Sequence, residues 1–286
     1  MSLIEALRAN PSLLVGIVTV LGLLVGSFLN VVSLRLPRMM EAAWQREARL
    51  ILEAPAEEPP PARISLSQPP SCCPSCGARI RPWHNLPLLG WLLLRGRCAD
   101  CRAPISLQYP LVELTAGILS AVCAWHFGWG TQLAAGLVLS WALLVLTVID
   151  FREQLLPDSI TLPLLWLGLC LSCFGVFTTP SASIAGAVFG YLSLWLIYHG
   201  YKLITGKEGM GHGDFKLLGA LGAWFGATSL PMTILLSSLV GSVVGISLIL
   251  FRGRDRNIPI SFGPYLAGAG WLTLIWGDAL RGLSHT

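Results

Sequence analysis

Charge is what this chain has least of. Asp, Glu, Lys and Arg together make up 12% of its 286 residues, against roughly 25% in ordinary globular chains. That shortage, beside 54% hydrophobic residues, excludes an ordinary soluble domain. No segment alternates strands and helices, which excludes a parallel sheet and the nucleotide sites built on one. Internal repeats are missing as well, and transporters made of two matched halves would carry them. The first apolar run is too long, too soon followed by charge, and too weakly basic at its N-terminal flank for a cleaved signal peptide.

What the chain has instead is apolar runs near the ~20 residues that cross a bilayer. About eight are predicted, near 12–34, 109–127, 131–149, 159–178, 183–204, 215–229, 231–251 and 260–276. The fold class expected is an all-α membrane protein, a polytopic bundle of about eight helices with a small cytoplasmic metal-binding module. Thr228, Ser229 and Pro231 cut the sixth run short, and its glycine-rich start is expected to dip into the membrane plane beside protein or water. With the N-terminus outside, 17 of the 19 Lys and Arg residues fall on the inner side, leaving only Arg8 and Arg281 outside. This satisfies the positive-inside rule. The net charge of +4 therefore reflects topology, and nucleic acid is not an expected partner; the lipid bilayer is.

Three regions follow: a first membrane helix over 1–36, a cytoplasmic loop over 37–108, and a membrane bundle over 109–286. Within the loop, Met39 to Leu52 reads as an interfacial amphipathic helix with Trp44, Leu50 and Ile51. The next residues, Glu-Ala-Pro-Ala-Glu-Glu-Pro-Pro-Pro-Ala over 53–62, are a proline-rich linker. Trp125, Trp129, Trp224 and Trp276 fall at predicted outer ends and read as interface anchors.

Two aspartates stand out. Asp150 ends the third run going inward and Asp214 begins the sixth going outward, so both face the cytoplasm. Carboxylates at a membrane helix end are costly and mark function, and two of them suffice for aspartic-protease chemistry. Asp158, Glu153 and Asp278 read as ordinary interface charges. Asp214 closes Gly209-Met-Gly-His-Gly-Asp; Gly211 and Gly213, lacking Cβ, would let a substrate backbone approach it. Asp214 also opens a helix, whose dipole favours an anion. As a nucleotide loop this segment lacks its strand. Glu113, one turn into the second run, reads either as a hydrogen-bonded helix residue or as a contact for a basic substrate segment. Asn30 reads as an interhelical hydrogen-bond donor.

The loop also carries Cys73-Pro-Ser-Cys76 and Cys98-Ala-Asp-Cys101. Two such knuckles match a four-thiolate zinc site, closed and hence structural, and cytoplasmic thiols stay reduced. Gly77 and Arg102 fit the turns that follow each knuckle. Cys72 competes with Cys73 as first ligand, and spacing favours Cys73; His84 could ligate, but four thiolates fill the shell. Cys123, Cys170 and Cys173 read as membrane-helix packing.

The chain resembles the bacterial type IV prepilin leader peptidase/N-methyltransferases. The resemblance rests on Gly26-Ser-Phe-Leu-Asn-Val-Val-Ser-Leu-Arg-Leu-Pro37, the cysteine module, Asn85 to Cys98, Ile105 to Glu113, Asp150 to Asp158, and Gly209 to Leu218. The G-x-G-D element alone is shared with presenilin relatives. The resemblance implies an intramembrane aspartic endopeptidase of the bacterial inner membrane that removes the basic leader of prepilins and pseudopilins at the cytoplasmic face. The cut falls after a glycine and before a residue that is usually phenylalanine. The resemblance further implies N-methylation of the new amine with S-adenosylmethionine. Two close carboxylates cannot both ionise cheaply, so Asp150 and Asp214 are expected to share one proton. The alternative is a transporter or channel with a zinc-bound cytoplasmic domain and a proton-relay aspartate pair.

Overall fold

The structure, a computed structural model, describes residues 3–52, 64–207, 209–252 and 261–283. The linker over 53–62 and the bases Arg254 and Arg256 lie outside the described residues, as do the surroundings of the Asp278 side chain. Among the described residues there is no strand, only two isolated β-bridges. The chain is an all-helical membrane protein. A helix stands at each of the eight predicted runs. Five spans, including Pro11–Ile51, Thr131–Glu153 and Pro180–Thr205, are long and apolar enough to cross a bilayer.

The chain divides into two compact units, Met1–Gly128 and Trp129–Thr286. In the first, α1 (Leu3–Ala9) leads into α2 (Pro11–Ile51), and α4 (Gln108–Phe127) packs along α2. Small residues bring these two helices together. A Cβ on Gly26 would lie 2.7 Å from the Glu113 Cα and 2.8 Å from the Ala116 Cβ. Asn30 Nδ2 donates to the Tyr109 carbonyl at 3.1 Å, the interhelical bond expected of it. Between α2 and α4 lie the cysteine module, a 3-10 turn over Pro82–Asn85, and α3 (Leu89–Leu93).

One expectation needs correction here. Met39 to Leu52 is not a separate interfacial helix, because α2 runs unbroken through Pro37 to Ile51. The Met-Glu-Ala-Ala-Trp-Gln-Arg-Glu-Ala-Arg-Leu-Ile stretch is rich in strong helix formers. Arg46 Nε and Gln45 Nε2 also bond back one turn, to the Ala42 carbonyl at 3.0 Å and Glu41 Oε1 at 3.4 Å. Together these carry the helix past the one backbone N–H that proline removes.

The second unit holds α5 (Thr131–Glu153), α6 (Asp158–Cys173), α7 (Pro180–Thr205), α8 (His212–Phe225), α9 (Leu230–Arg252) and α10 (Gly263–Leu283). Its centre is α8, buried at Asp214 and Phe215 and without a break from Leu217 to Phe225. A helix that is apolar all round belongs inside, and α6, α7 and α10 enclose this one. Glycines set its distance from α7: a methyl on Gly186 would strike the Gly222 carbonyl, and one on Gly190 would sit 2.6 Å from the Leu218 carbonyl oxygen. Close approach through small residues is how membrane helices gain packing energy where apolar burial contributes little. The helix spans only 14 residues before Gly226, at φ 82°, ends it.

Trp224 is the second correction. It is 1% exposed, not an interface anchor. Its Nε1 donates to the Leu164 carbonyl at 2.8 Å, and Phe177 packs on its ring. The position near the end of an apolar run suggested lipid contact, but enclosure of α8 turns every face of that helix toward protein. Trp125, Trp129 and Trp276 are exposed, as anchors should be.

Candidate active site and candidate metal centre

In the second unit, α5 brings Asp150 to its last turn, and Gln154 ends the helix in the left-handed region at φ 52° with its N–H bonded to the Asp150 carbonyl. Gly211 caps α8, which brings Asp214 to its first turn. Both carboxylates are buried, at 5% and 6% exposure. Asp150 accepts the Gly263 N–H, and the Asp214 N–H donates to the Gly211 carbonyl at 3.2 Å. Asp150 is close enough to act on Asp214 through its charge. One oxygen of each, Asp150 Oδ2 and Asp214 Oδ1, is buried with no hydrogen-bond partner among the described residues. Orphaned buried oxygens are expensive and call for an explanation.

The surroundings are built on glycine and Leu156. A Cβ on Gly213 would lie 2.7 Å from the Leu156 Cβ, and one on Gly263 would lie 2.5 Å from Asp150 Oδ2 and 3.2 Å from Leu156 Cδ2. Leu156, itself buried, thus packs on the start of α8 and the start of α10 together. Lys216 Nζ sits 2.7 Å from both oxygens of Asp158, tying the second turn of α8 to the first residue of α6. Asp158 is therefore an ion-pair partner, although a half-exposed pair contributes little by itself. Sequence reasoning missed Gly263 and Leu156. The Gly263-Pro264 pair signalled only a helix start; nothing in the sequence tied it to Asp150.

In the first unit the four sulfurs of Cys73, Cys76, Cys98 and Cys101 lie within 4.8 Å of one another. Metal–sulfur bonds of about 2.3 Å in a tetrahedron put sulfurs about 3.8 Å apart, and Cys73 Sγ stands 3.8 Å from Cys101 Sγ. The two knuckles repeat one backbone pattern. Cys73 N–H bonds the Ala78 carbonyl and Gly77 N–H the Cys73 carbonyl; Cys98 N–H bonds the Ala103 carbonyl and Arg102 N–H the Cys98 carbonyl. Gly77 and Arg102 hold matching positive φ values of 71° and 62°. N–H groups of Cys76 and Ser75 hold the Cys73 thiol down to about 6, while the neighbouring Cys101 thiol helps push Cys76 up to about 12, as thiols crowded into one site do with no cation between them. Cys72 and His84 stand outside the cluster. These four residues could hold a metal ion.

Glu113 is buried on α4, where its Oε2 accepts the Leu88 N–H at 2.8 Å. Leu88 has a positive φ of 59°, so the carboxylate fixes a turn of the cysteine loop.

Comparison with known proteins agrees with this layout. Residues 20–127 match the model of the bacterial peptidase A24 N-terminal domain, and residues 137–246 match that of the type IV leader peptidase family. A prepilin leader peptidase/N-methyltransferase of Stutzerimonas stutzeri is 55% identical over 280 residues, covering 98% of this chain and 96% of that one. Its namesake in Pseudomonas aeruginosa is 53% identical over 282 residues, with the same coverage. The one in Neisseria gonorrhoeae is 47% identical over 266 residues, covering 93% and 92%. No solved structure matches. The chain belongs to the type IV leader peptidase family.

Proposed function

We propose that this protein is a prepilin leader peptidase that also N-methylates its product. Its substrates would be type IV prepilins and pseudopilins. Asp150 and Asp214 form the dyad: one carboxylate, ionised, takes a proton from water, while the other, protonated, donates to the scissile carbonyl. The observation that carries this reading is the pair of orphaned oxygens, Asp150 Oδ2 and Asp214 Oδ1, buried at neighbouring helix ends. A water between two carboxylates would complete both.

Gly211 supports a substrate-facing role. A Cβ there would meet only Asp214 Oδ2, at 3.7 Å, so packing does not demand glycine, whereas a peptide backbone approaching Asp214 would. Gly213 lies against the Leu156 side chain, so there packing alone demands a glycine. Glu113, bonded to Leu88, acts by holding the loop.

The dyad would face the cytoplasm of a bacterial inner membrane, as the distribution of Lys and Arg favours. A basic leader waits there while the apolar pilin helix lies in the bilayer. Zinc would be the ion at Cys73, Cys76, Cys98 and Cys101, where it supplies a folding constraint and no chemistry. S-adenosylmethionine is the methyl donor this activity implies. The relatives bear peptidase and methyltransferase names, which leaves the transporter or channel alternative without support. The test is incubation of the purified protein with a prepilin, followed by mass analysis of the pilin N-terminus. Leader loss plus a donor-dependent gain of one methyl group supports the reading; an intact precursor overturns it.

A further inference from the structure

The segment Pro82–Leu93, beyond the first cysteine knuckle, keeps its polar and packing contacts on one side. Gly90 lies against the His84 carbonyl, where a Cβ could not fit. Trp91 packs on Gly96, and its Nε1 donates to the Ile105 carbonyl at 3.3 Å. Leu89, Leu92 and Leu93, at helical spacings of three and four, share the opposite face. They are 57%, 61% and 73% exposed, and Trp83 and Leu86 in the preceding turn are exposed as well. Contiguous exposed apolar side chains mark a docking surface.

The height of this face is fixed. Leu88, the residue before α3, donates its N–H to Glu113, which lies in the second turn of α4. The leucines are thereby held level with the first turns of a helix apolar enough to cross a bilayer, which is the depth of the headgroups. Their surroundings are strongly basic. Over residues 64–107 the chain has Arg79, Arg81, Arg95, Arg97 and Arg102, all exposed, against one acid, Asp100. Such a surface repels a basic leader peptide and attracts anionic headgroups. Trp83, with the Arg81 guanidinium 6.0 Å from its ring, is the residue type that settles at a membrane interface.

We propose that the Trp83–Leu93 face of the cysteine module is a membrane-docking surface. Its leucines insert among the acyl chains and its arginines engage anionic phospholipid headgroups. This placement rests on the membrane reading of α4 and does not depend on the aspartate chemistry. It gives the module a second anchor besides the covalent ends at α2 and α4.

The full chain with its metal, reconstituted in nanodiscs, tests this. One set contains phosphatidylcholine alone and another adds phosphatidylglycerol, each with and without lipids brominated near the headgroup. Subtracting the emission of Trp83→Phe isolates Trp83. The expected result is quenching of Trp83 by brominated lipid, stronger with phosphatidylglycerol, the increment shrinking in high salt. The double variant Leu89→Asp/Leu93→Asp should lose the quenching while keeping its full metal content; if it loses metal, Leu92→Ser is read in its place. Trp83 emission indifferent to bromine in both bilayers overturns the proposal. So does protection of 82–93 from hydrogen exchange that appears only with added prepilin, or only at high protein concentration, since the occupant would then be substrate or a second copy.

Discussion

Gly263 donates its backbone N–H to Asp150 and leaves no room for a side chain between them: a Cβ would stand 2.5 Å from Asp150 Oδ2. The first residue of the last helix thus sets where the carboxylate of another helix can lie. Gly263→Ala should push Asp150 aside and lower kcat for leader removal by roughly a hundredfold, the cost of misplacing a reacting group by about an ångström. KM should change little. Adding Leu156→Ala, which opens space on the other side of the new methyl, should restore part of the rate. An unimpaired Gly263→Ala enzyme would refute the contact.

Asp150→Asn and Asp214→Asn keep the shape of each side chain but cannot carry the shared proton. Each should lower cleavage by at least about 10²-fold, the lower end for a general acid or base, with the protein still inserted in membranes. Methylation of a pre-cleaved pilin should survive, since that reaction needs a donor and a neutral amine instead of the dyad. Wild-type leader removal by either variant, read by mass, would end the dyad assignment.

The dyad also predicts the shape of a pH profile. At low pH both carboxyls are protonated and no base remains; at high pH both are ionised and no acid remains. Since like charges this close separate the two steps, cleavage should rise and then fall with two apparent pKa values. A rate that climbs with pH and stays on a plateau would mean that one carboxyl works alone.

Replacing Cys73, Cys76, Cys98 or Cys101 with Ser should remove the metal, expected at one zinc per chain. The loop should then become sensitive to protease, because small metal modules depend on the ion for folding. Acidification should release the ion as well, since protons compete with the metal for the thiolates. Cys72→Ser should keep its zinc. Metal analysis distinguishes these outcomes directly.

At the α7–α8 contact, Gly186→Val should destabilise the second unit by about 1–3 kcal/mol, the usual cost of overpacking. Thermal unfolding in detergent measures it. An unchanged midpoint would mean that the helices separate more easily than their glycines suggest.

The parts of this protein that sequence discloses are those encoded by local spacing. The cysteine knuckles, the turns at Gly77 and Arg102, the Asn30 bond and eight helices all follow from short motifs or a single periodicity. Burial on membrane helices is different, because lipid and protein interior are equally apolar. Hydropathy therefore could not separate Trp224, sealed against Leu164 and Phe177, from Trp125, which is 78% exposed. Met39 to Leu52 misled for another reason: its amphipathic pattern suggested a helix lying at the interface, but the strong helix formers there carry α2 on past Pro37 without a break. The pairing of Gly263 and Leu156 with the aspartates depends on tertiary contacts that no local pattern encodes.

The unbroken course of α2 gives the first unit a mechanical property. At 1.5 Å per residue its 41 residues extend about 60 Å, roughly twice the hydrocarbon thickness. About half of it stands clear of the bilayer as a mast. Arg35, near its middle, is stayed to the Ser65 and Leu66 carbonyls at 3.0 and 3.3 Å. Membrane helices change tilt when bilayer thickness changes, and a tilt of about 10° sweeps the tip of a ~30 Å mast through about 5 Å. The lever arm turns a small change in bilayer thickness into a displacement the size of an amino-acid side chain.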